Sequence, residues 1–136
     1  MKSLAPETHA MRSIVILATF ATALAAAPAA AKTLSNSEIL ETVSGKTVRL
    51  ETRWGSFPLI YRTNKSVTGN GEALGLARFF APKETGTWRA RGGKLCQTFP
   101  TWYKGRENCF TLTKTGPSTL NWVRDDGYSG TASISN

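Results

Sequence analysis

The chain has 136 residues and carries 17 Lys and Arg against 9 Asp and Glu, a formal net charge of +8. A basic balance favours anionic partners, but the cations are spread singly with no block that interleaves with aromatic residues, so nucleic acid is not an expected partner. The only histidine, His9, precedes the export signal described next, so the mature protein would lack Ser–His chemistry, Cys–His chemistry and the commonest metal ligand.

Residues 11–31 have the three-part pattern of a cleaved signal peptide. Met11-Arg12 gives a positive start, an apolar run continues to Ala27, and Ala29-Ala30-Ala31 is the small-x-small pattern that signal peptidase reads. The run is shorter than the roughly 20 residues that a membrane span needs. We therefore expect cleavage before Lys32, no transmembrane segment afterwards, and a periplasmic or secreted protein.

This processing defines the domain organisation. Residues 1–10 fit no part of a signal and are interpreted as an upstream mis-start, with Met11 the true initiator. Residues 32–136 remain as a single β domain, large enough to bury a modest core that a disulfide would help to stabilise.

A capping box opens the mature chain. Ser35 and Glu38 stand three residues apart, so each side chain can satisfy an unpaired backbone N–H of the other residue at the start of a helix. Apolar residues follow at helical spacing until Gly45: Ile39, Leu40 and Val43. One short helix over 36–44 is predicted, with a single apolar stripe that must dock on something.

From Lys46 onward the pattern changes to the period of two that is typical of strands. Strands are predicted over 47–52, 57–63 and 74–81, with a turn-rich loop over 64–72. Pro58 lacks a backbone N–H and so indicates an edge position or a strand start.

The turns of the C-terminal half predict an antiparallel meander with a defined register. Gly92-Gly93 is a two-residue hairpin turn, which pairs Arg91 with Lys94. The next hairpin then brings Cys96 opposite Cys109. A three-residue connection over 115–117 would place Leu112 opposite Leu120 and Phe110 opposite Trp122. This register puts a set of apolar residues on one face: Trp88, Ala90, Leu95, Phe99, Phe110, Leu112, Leu120 and Trp122.

About eight short strands and one helix predict an all-β fold. We expect an up-and-down meander that forms a small barrel or a strongly curved sheet, since closure removes exposed strand edges. A two-layer β-sandwich is the alternative.

Cys96 and Cys109 are expected to form a disulfide, because opposed residues of antiparallel strands lie within its reach. A redox pair or a metal site fits less well, since the chain has no C-x-x-C and no other cysteine. Asp125-Asp126-Gly127 is interpreted as a turn rather than as paired catalytic carboxylates or calcium ligands. No catalytic residue, metal ligand or cofactor is predicted.

The loop bounded by the disulfide is the predicted binding surface. Trp102, Tyr103, Lys104 and Arg106 lie together in it, and aromatic rings beside fixed charges can stack on sugars or anchor a partner protein. The alternative is that one of the rings folds back over the barrel mouth and covers the core.

Several short motifs are distributed along the expected mature chain: Ser35-x-x-Glu38, Gly45-Lys46-Thr47, Gly86-Thr87-Trp88, Leu95-Cys96, Cys109-Phe110 with Leu112, Gly116, and Gly130-Thr131-Ala132. Together they resemble a family of small secreted alphaproteobacterial proteins catalogued as domain of unknown function 995. The family often has a Trp two positions after its Leu-Cys pair, whereas here Gln97-Thr98-Phe99 shifts the aromatic by one. The resemblance implies no activity and no catalytic residue.

These features favour an exported, non-enzymatic binding or envelope-associated protein, whose partner is an anionic envelope component, a carbohydrate or a protein. A secreted protease inhibitor is the alternative, with residues 100–108 or the segment from Lys32 as the inserting element. An enzyme that uses carboxylates alone is a third hypothesis, but the acidic residues show no pairing motif.

Overall fold

A computed structural model of the protein describes residues 31–53, 55–71 and 83–136, with four isolated positions nearer the N-terminus. The predicted signal peptide (apart from a few isolated positions) and the predicted strand over 74–81 lie outside the described residues.

Eight antiparallel strands close into an up-and-down barrel, which confirms the predicted all-β barrel with one short N-terminal helix and excludes the sandwich. Each strand from β2 to β9 pairs with the next one along the chain, and β9 pairs back with β2. The elements are β1 (Lys32–Thr33), α1 (Asn36–Val43), β2 (Lys46–Thr52), β3 (Gly55–Tyr61), β4 (Ser66–Gly69), β5 (Glu84–Arg91), β6 (Lys94–Thr98), a 3-10 turn (Trp102–Gly105), β7 (Asn108–Gly116), β8 (Thr119–Arg124) and β9 (Ser129–Ser135).

Strand β4 corrects the prediction of a loop over 64–72. Asn64 accepts hydrogen bonds from the backbone N–H and the hydroxyl of Ser66, and Lys65 adopts a positive φ of 71°, so the chain reverses tightly. Val67 then pairs with Tyr61 and is fully buried. A strand of four residues with a single large apolar side chain shows too little alternation to be recognised by its pattern.

Pro58 lies inside β3 rather than at an edge. Its carbonyl accepts a hydrogen bond from Asn70, just after β4 ends at Gly69. The N and C=O of a strand residue point to the same neighbour, so the missing N–H of Pro58 falls where that neighbouring strand ends.

The predicted register is confirmed for the first two hairpins of the C-terminal half and wrong for the third. Arg91 pairs with Lys94 and Cys96 pairs with Cys109, as predicted. Leu112 and Phe110, however, pair with Trp122 and Arg124, because Pro117-Ser118 forms a two-residue turn and a bulge at Thr115 absorbs one residue. The shift is by two residues, so every side chain keeps its predicted face.

Side chains fill the barrel, and a different element covers each end. Helix α1 buries Ile39 and Val43, and Asn36 accepts a hydrogen bond of 2.7 Å from the N–H of Gly93 in the β5–β6 turn. The predicted capping box is present, with the carboxylate of Glu38 accepting from the N–H of Ser35 at 2.9 Å. The opposite end is closed by the chain between β6 and β7.

Strand β1 lies along the part of β7 that β6 leaves uncovered. Thr33 pairs with Thr113, and the N–H of Leu34 donates to the carbonyl of Leu112 at 2.9 Å. The other edge of β7 is paired with β8, so the start of the expected mature chain is held in the sheet.

Candidate binding site

The predicted binding loop connects β6 to β7 across the mouth of the barrel. At its base Cys96 and Cys109 form the predicted disulfide, with their Cα atoms 4.0 Å apart. The loop shares this end of the barrel with the β8–β9 turn, since alternate ends of antiparallel strands meet at the same rim.

Trp102 points back onto the barrel. Its ring centroid lies 4.4 Å from that of Phe99 and 5.6 Å from that of Phe57, and Gly69 leaves the space that the ring occupies. A β-carbon at Gly69 would lie only 2.4 Å from Cη2 of Trp102. Among the four predicted site residues, Trp102 therefore anchors the loop and covers the core, while its indole N–H is buried without a hydrogen-bond partner among the described residues.

The backbone after Trp102 turns in the left-handed sense. Tyr103 has φ 55° and ψ 30°, Lys104 has φ 59° and ψ 34°, and Gly105 follows with φ 70°. This conformation costs about 1–2 kcal/mol for each residue with a β-carbon. Two such residues in succession persist only where the surrounding contacts determine the backbone, and such sites are often functional.

Two carboxylates fix the flanks of the loop. Glu84 accepts hydrogen bonds from both the backbone N–H and the hydroxyl of Thr101, the latter at 2.7 Å. Glu107 accepts from Arg89 at 2.8 Å and from Arg91 at 2.9 Å, and the hydrogen bond from Arg89 lowers the pKa of this carboxyl. These contacts, the disulfide and the Trp102 anchor leave the loop little freedom.

Tyr103 rests on a cation that the sequence analysis did not single out. The guanidinium of Arg124 donates to the Tyr103 hydroxyl at 2.9 Å and lies over both the Tyr103 ring, at 4.9 Å, and the Tyr128 ring, at 4.8 Å. Asp126 holds the same guanidinium through two contacts of 2.7 Å, which lower the pKa of the Asp126 carboxyl. Tyr103 is 44 % exposed and Tyr128 is 68 % exposed.

Lys104 and Arg106 are both exposed. Within the part of the chain that the structure describes, neither cation has an Asp or Glu oxygen within 4.0 Å. Arg124, by contrast, is neutralised by Asp126. In the described part of the chain, the mouth of the barrel therefore presents two cations without a carboxylate partner next to two exposed aromatic rings.

Asp125, Asp126 and Gly127 form the predicted turn. Asp125 forms an ion pair with Lys94 at 2.7 Å and Asp126 with Arg124, and Gly127 takes the positive φ of 93° that closes the turn. Among the described residues one group of potential metal ligands clusters: Cys96, Glu107 and Cys109. Both sulfurs of this group belong to the disulfide, so neither is available as a thiolate.

The barrel interior offers little room for a ligand. The cavity that Val43, Leu59 and Phe110 help to line has a volume of about 20 Å³, which is space for about one water molecule. Its polar side chains satisfy each other, since the buried Tyr61 hydroxyl donates to Gln97 at 2.6 Å, and burial raises the pKa of Tyr61. The described interior therefore has no space for an organic ligand.

Three residues of the site were not predicted from the sequence: Glu84, Arg124 and Tyr128. One signal for Arg124 was present, because it continues the inward-facing positions Leu120 and Trp122 to the end of β8, where a cation marks the barrel mouth. Tyr128 gave no signal, since an aromatic residue after an Asp-Asp-Gly turn has no periodic neighbours.

Comparison with known proteins leaves the site to be interpreted from its own geometry. No family model, no curated protein and no solved structure matches the chain. Among the described residues, no helix has the length and apolar character that crossing a membrane requires.

Proposed function

We propose that the protein is an exported, non-enzymatic binding protein of the bacterial envelope, which binds an anionic component through the loop over 100–108. The observation that carries this proposal is that Lys104 and Arg106, which have no carboxylate partner among the described residues, lie beside the exposed ring of Tyr103 on a loop with little freedom. Trp102 serves the same site as its anchor. The proposal involves no cofactor, metal ion or nucleic acid.

The rigidity of the loop is what makes so small a surface useful. Ordering a flexible side chain or loop on binding costs about 0.5–1.5 kcal/mol per side chain, and a loop ordered beforehand avoids much of that cost. The left-handed backbone at Tyr103 and Lys104 is itself unfavourable, so the contacts of Trp102 and Thr101 that maintain it act to present these side chains.

Charge supports an anionic partner. A chain with a net charge of +8 attracts anions over its whole surface, but a specific site requires cations whose charge is not already compensated. Among the described residues Lys104 and Arg106 meet this condition, as do Lys46 and Lys114, whereas Arg89, Arg91 and Arg124 pair with carboxylates. What distinguishes the loop is the exposed ring of Tyr103 beside its two cations. Binding of this kind weakens as salt screens it, with a Debye length of about 8 Å at physiological ionic strength.

Export and membership of the secreted family remain part of the proposal. The signal-like segment over 11–31 supports export, and the disulfide fits an oxidising compartment. Protein isolated from the native host should begin at Lys32 and contain no titratable thiol. A chain that retains residues 11–31 would contradict the proposal.

Protease inhibition is the weaker alternative. A segment that inserts into another protein as an added strand is extended and has free backbone groups. The loop is a left-handed turn at Tyr103 and Lys104, and the segment from Lys32 is already paired with β7. Neither of the two proposed inserting elements is thus an extended segment with free backbone groups, which favours the binding role.

Co-sedimentation with the envelope fraction of the native host tests the proposal. The double variant Lys104→Gln/Arg106→Gln should bind about tenfold more weakly at physiological ionic strength, since two exposed charge contacts contribute on the order of 1.4 kcal/mol together. The matched control is Lys46→Gln/Lys114→Gln, which removes the same charge at the far end of the barrel. Equal weakening in both variants would show that binding reflects only the overall charge, and the site would be rejected.

A further inference from the structure

Tyr128 is the most exposed large apolar side chain among the described residues, but its ring and its backbone both contact Arg124. The guanidinium of Arg124 lies over its ring at 4.8 Å, and the N–H of Arg124 donates to the Tyr128 carbonyl at 2.7 Å. Asp126 fixes that guanidinium and also accepts from the N–H of Tyr128 at 3.4 Å. Because the Tyr128 ring is mostly exposed, its burial contributes little to the stability of the fold. A ring that a fixed cation holds in solvent therefore needs another explanation.

Tyr103 and Tyr128 form one feature. Arg124 lies over both rings, its side chain is only 14 % exposed, and it donates to the Tyr103 hydroxyl. The two rings come from different parts of the chain, the loop before β7 and the turn after β8, and meet at this single guanidinium. The result is a pair of pre-positioned aromatic faces at the mouth of the barrel, here called the tyrosine platform.

Resting on the function proposed above, we infer that the tyrosine platform, Tyr103 and Tyr128 on Arg124, stacks against sugar rings and, together with Lys104 and Arg106, binds an acidic glycan chain.

The chemistry of the platform fits a sugar. One face of a pyranose ring carries C–H groups whose hydrogens are slightly positive, and the face of an aromatic ring is negative, so the two stack. Sugar hydroxyls also need hydrogen-bonding groups nearby, which the Tyr103 hydroxyl supplies, whereas Tyr128 contributes the face of its ring. Tyrosine brings this contact area with only two rotatable angles, and both rings are already held by Arg124.

A protein partner fits the same surface less well. A stable protein interface buries about 800 Å² on each side around a contiguous apolar centre. Of the large apolar side chains exposed in the described residues, Ile60 lies on β3, and only Val123 on β8 joins the two tyrosines near this end of the barrel. Two separate rings among polar groups suit a glycan, because each of its sugar rings has an apolar face and polar hydroxyl groups.

The acidic character of the glycan follows from the neighbouring cations. Lys104 is adjacent to Tyr103 in the chain, and the side chain of Arg106 turns back to the Tyr103 carbonyl, with Nε at 3.4 Å. Neither has a carboxylate within ion-pair distance in the described part of the chain. Carboxylate or phosphate groups on the glycan would supply the missing counter-charge, so both chemistries are compatible with the site.

The test uses the polysaccharide fraction of the native host's envelopes, freed of lipid by extraction and of protein by protease. Full-length mature protein should bind this fraction, and binding should be lost after periodate cleaves the vicinal diols of its sugars. Tyr128→Ala should weaken binding by about 3–10-fold, the range expected for one aromatic contact. Tyr128→Phe keeps the ring and should stay within about twofold of the wild type.

Ile60→Ala is the matched control, because it removes an exposed apolar side chain on another strand, and it should leave binding unchanged. Binding that survives periodate, or an unchanged affinity for Tyr128→Ala, overturns the glycan platform. If Lys104→Gln/Arg106→Gln still weakens binding to whole envelopes in that case, the proposed function stands without it. Binding to whole envelopes that is absent from the extracted fraction and is reproduced by phosphatidylglycerol vesicles would identify a membrane surface instead. Binding to whole envelopes that is lost when they are treated with protease would identify a protein.

Discussion

The glycine opposite the loop anchor is the sharpest point at which to perturb this site. Gly69 ends β4, and a β-carbon built on it meets Trp102 at 2.4 Å and 2.5 Å, while the next contact, with Leu59, is 3.1 Å. The Trp102 ring is the obstacle, because a β-carbon essentially never lies within 3.0 Å of a non-bonded heavy atom. Gly69→Ala should therefore displace the ring and destabilise the protein by about 1–3 kcal/mol, as overpacking does.

The magnitude should depend on what stands at position 102. Trp102→Ala alone should cost about 3 kcal/mol, the low end of the range for losing a buried indole, because the ring is only partly buried. In that background the space beside Gly69 is vacant, so Gly69→Ala should cost close to nothing. The double variant should then be more stable than the sum of the single effects by about 1–3 kcal/mol.

Urea unfolding followed by far-ultraviolet circular dichroism measures all three variants under non-reducing conditions. Gly130→Ala provides a matched control, since its β-carbon would lie 2.8 Å from Trp122, a different indole. Its cost should be the same with Trp or Ala at position 102. If Gly69→Ala is equally costly in both backgrounds, Trp102 does not occupy the space beside Gly69 and the anchor is wrongly assigned.

Three further predictions concern the barrel and its disulfide. Phe110→Ala should lower the free energy of unfolding by about 3–5 kcal/mol and Thr111→Ala by less than about 1 kcal/mol, and equal losses would contradict the inward and outward faces of β7. Cys96→Ser/Cys109→Ser should lose about 3 kcal/mol in urea unfolding, and an unchanged midpoint would refute a stabilising cross-link. The pKa of Glu107 is lowered in the folded protein, so its stabilising contribution is present above its unfolded pKa and is lost as the pH falls through the folded value. Glu107→Gln should therefore flatten the loss of stability in acid, and a profile of unchanged slope would show that the ion pairs with the arginines contribute nothing.

The C-terminal half of the barrel was predictable because its turns leave few alternatives. Two adjacent glycines fix the β5–β6 hairpin, and the need to join Cys96 to Cys109 fixes the next one. The register of the third hairpin was predicted wrongly because a bulge at Thr115 has no sequence signal of its own. Pro117-Ser118 is also as suitable a turn as the three-residue connection over 115–117. The error was harmless to the core, since a shift of two residues preserves the face of every side chain.

The candidate site was predictable in its position but not in its division of roles. A disulfide at the base of a short loop with two aromatics and two cations identifies the loop. Whether an aromatic ring faces solvent or core depends on what lies opposite, and that is decided by residues far away in the chain. Tyr103 stays outside because Arg124 and Asp126 hold it there.

Gly69 is the residue that decides the orientation of Trp102, and its position contained the information. A glycine inside or at the end of a strand weakens it unless another group must approach the backbone closely. Gly69-Asn70-Gly71 was interpreted as part of a turn-rich loop, so the possibility that Gly69 leaves space for a side chain was not considered. The indole of Trp102 occupies that space, which places its hydrophobic area on the barrel and leaves the cations and Tyr103 as the exposed part of the same loop. In this barrel the glycine at the end of β4 thus marks the place where an aromatic ring from the loop at the barrel mouth lies over the strand.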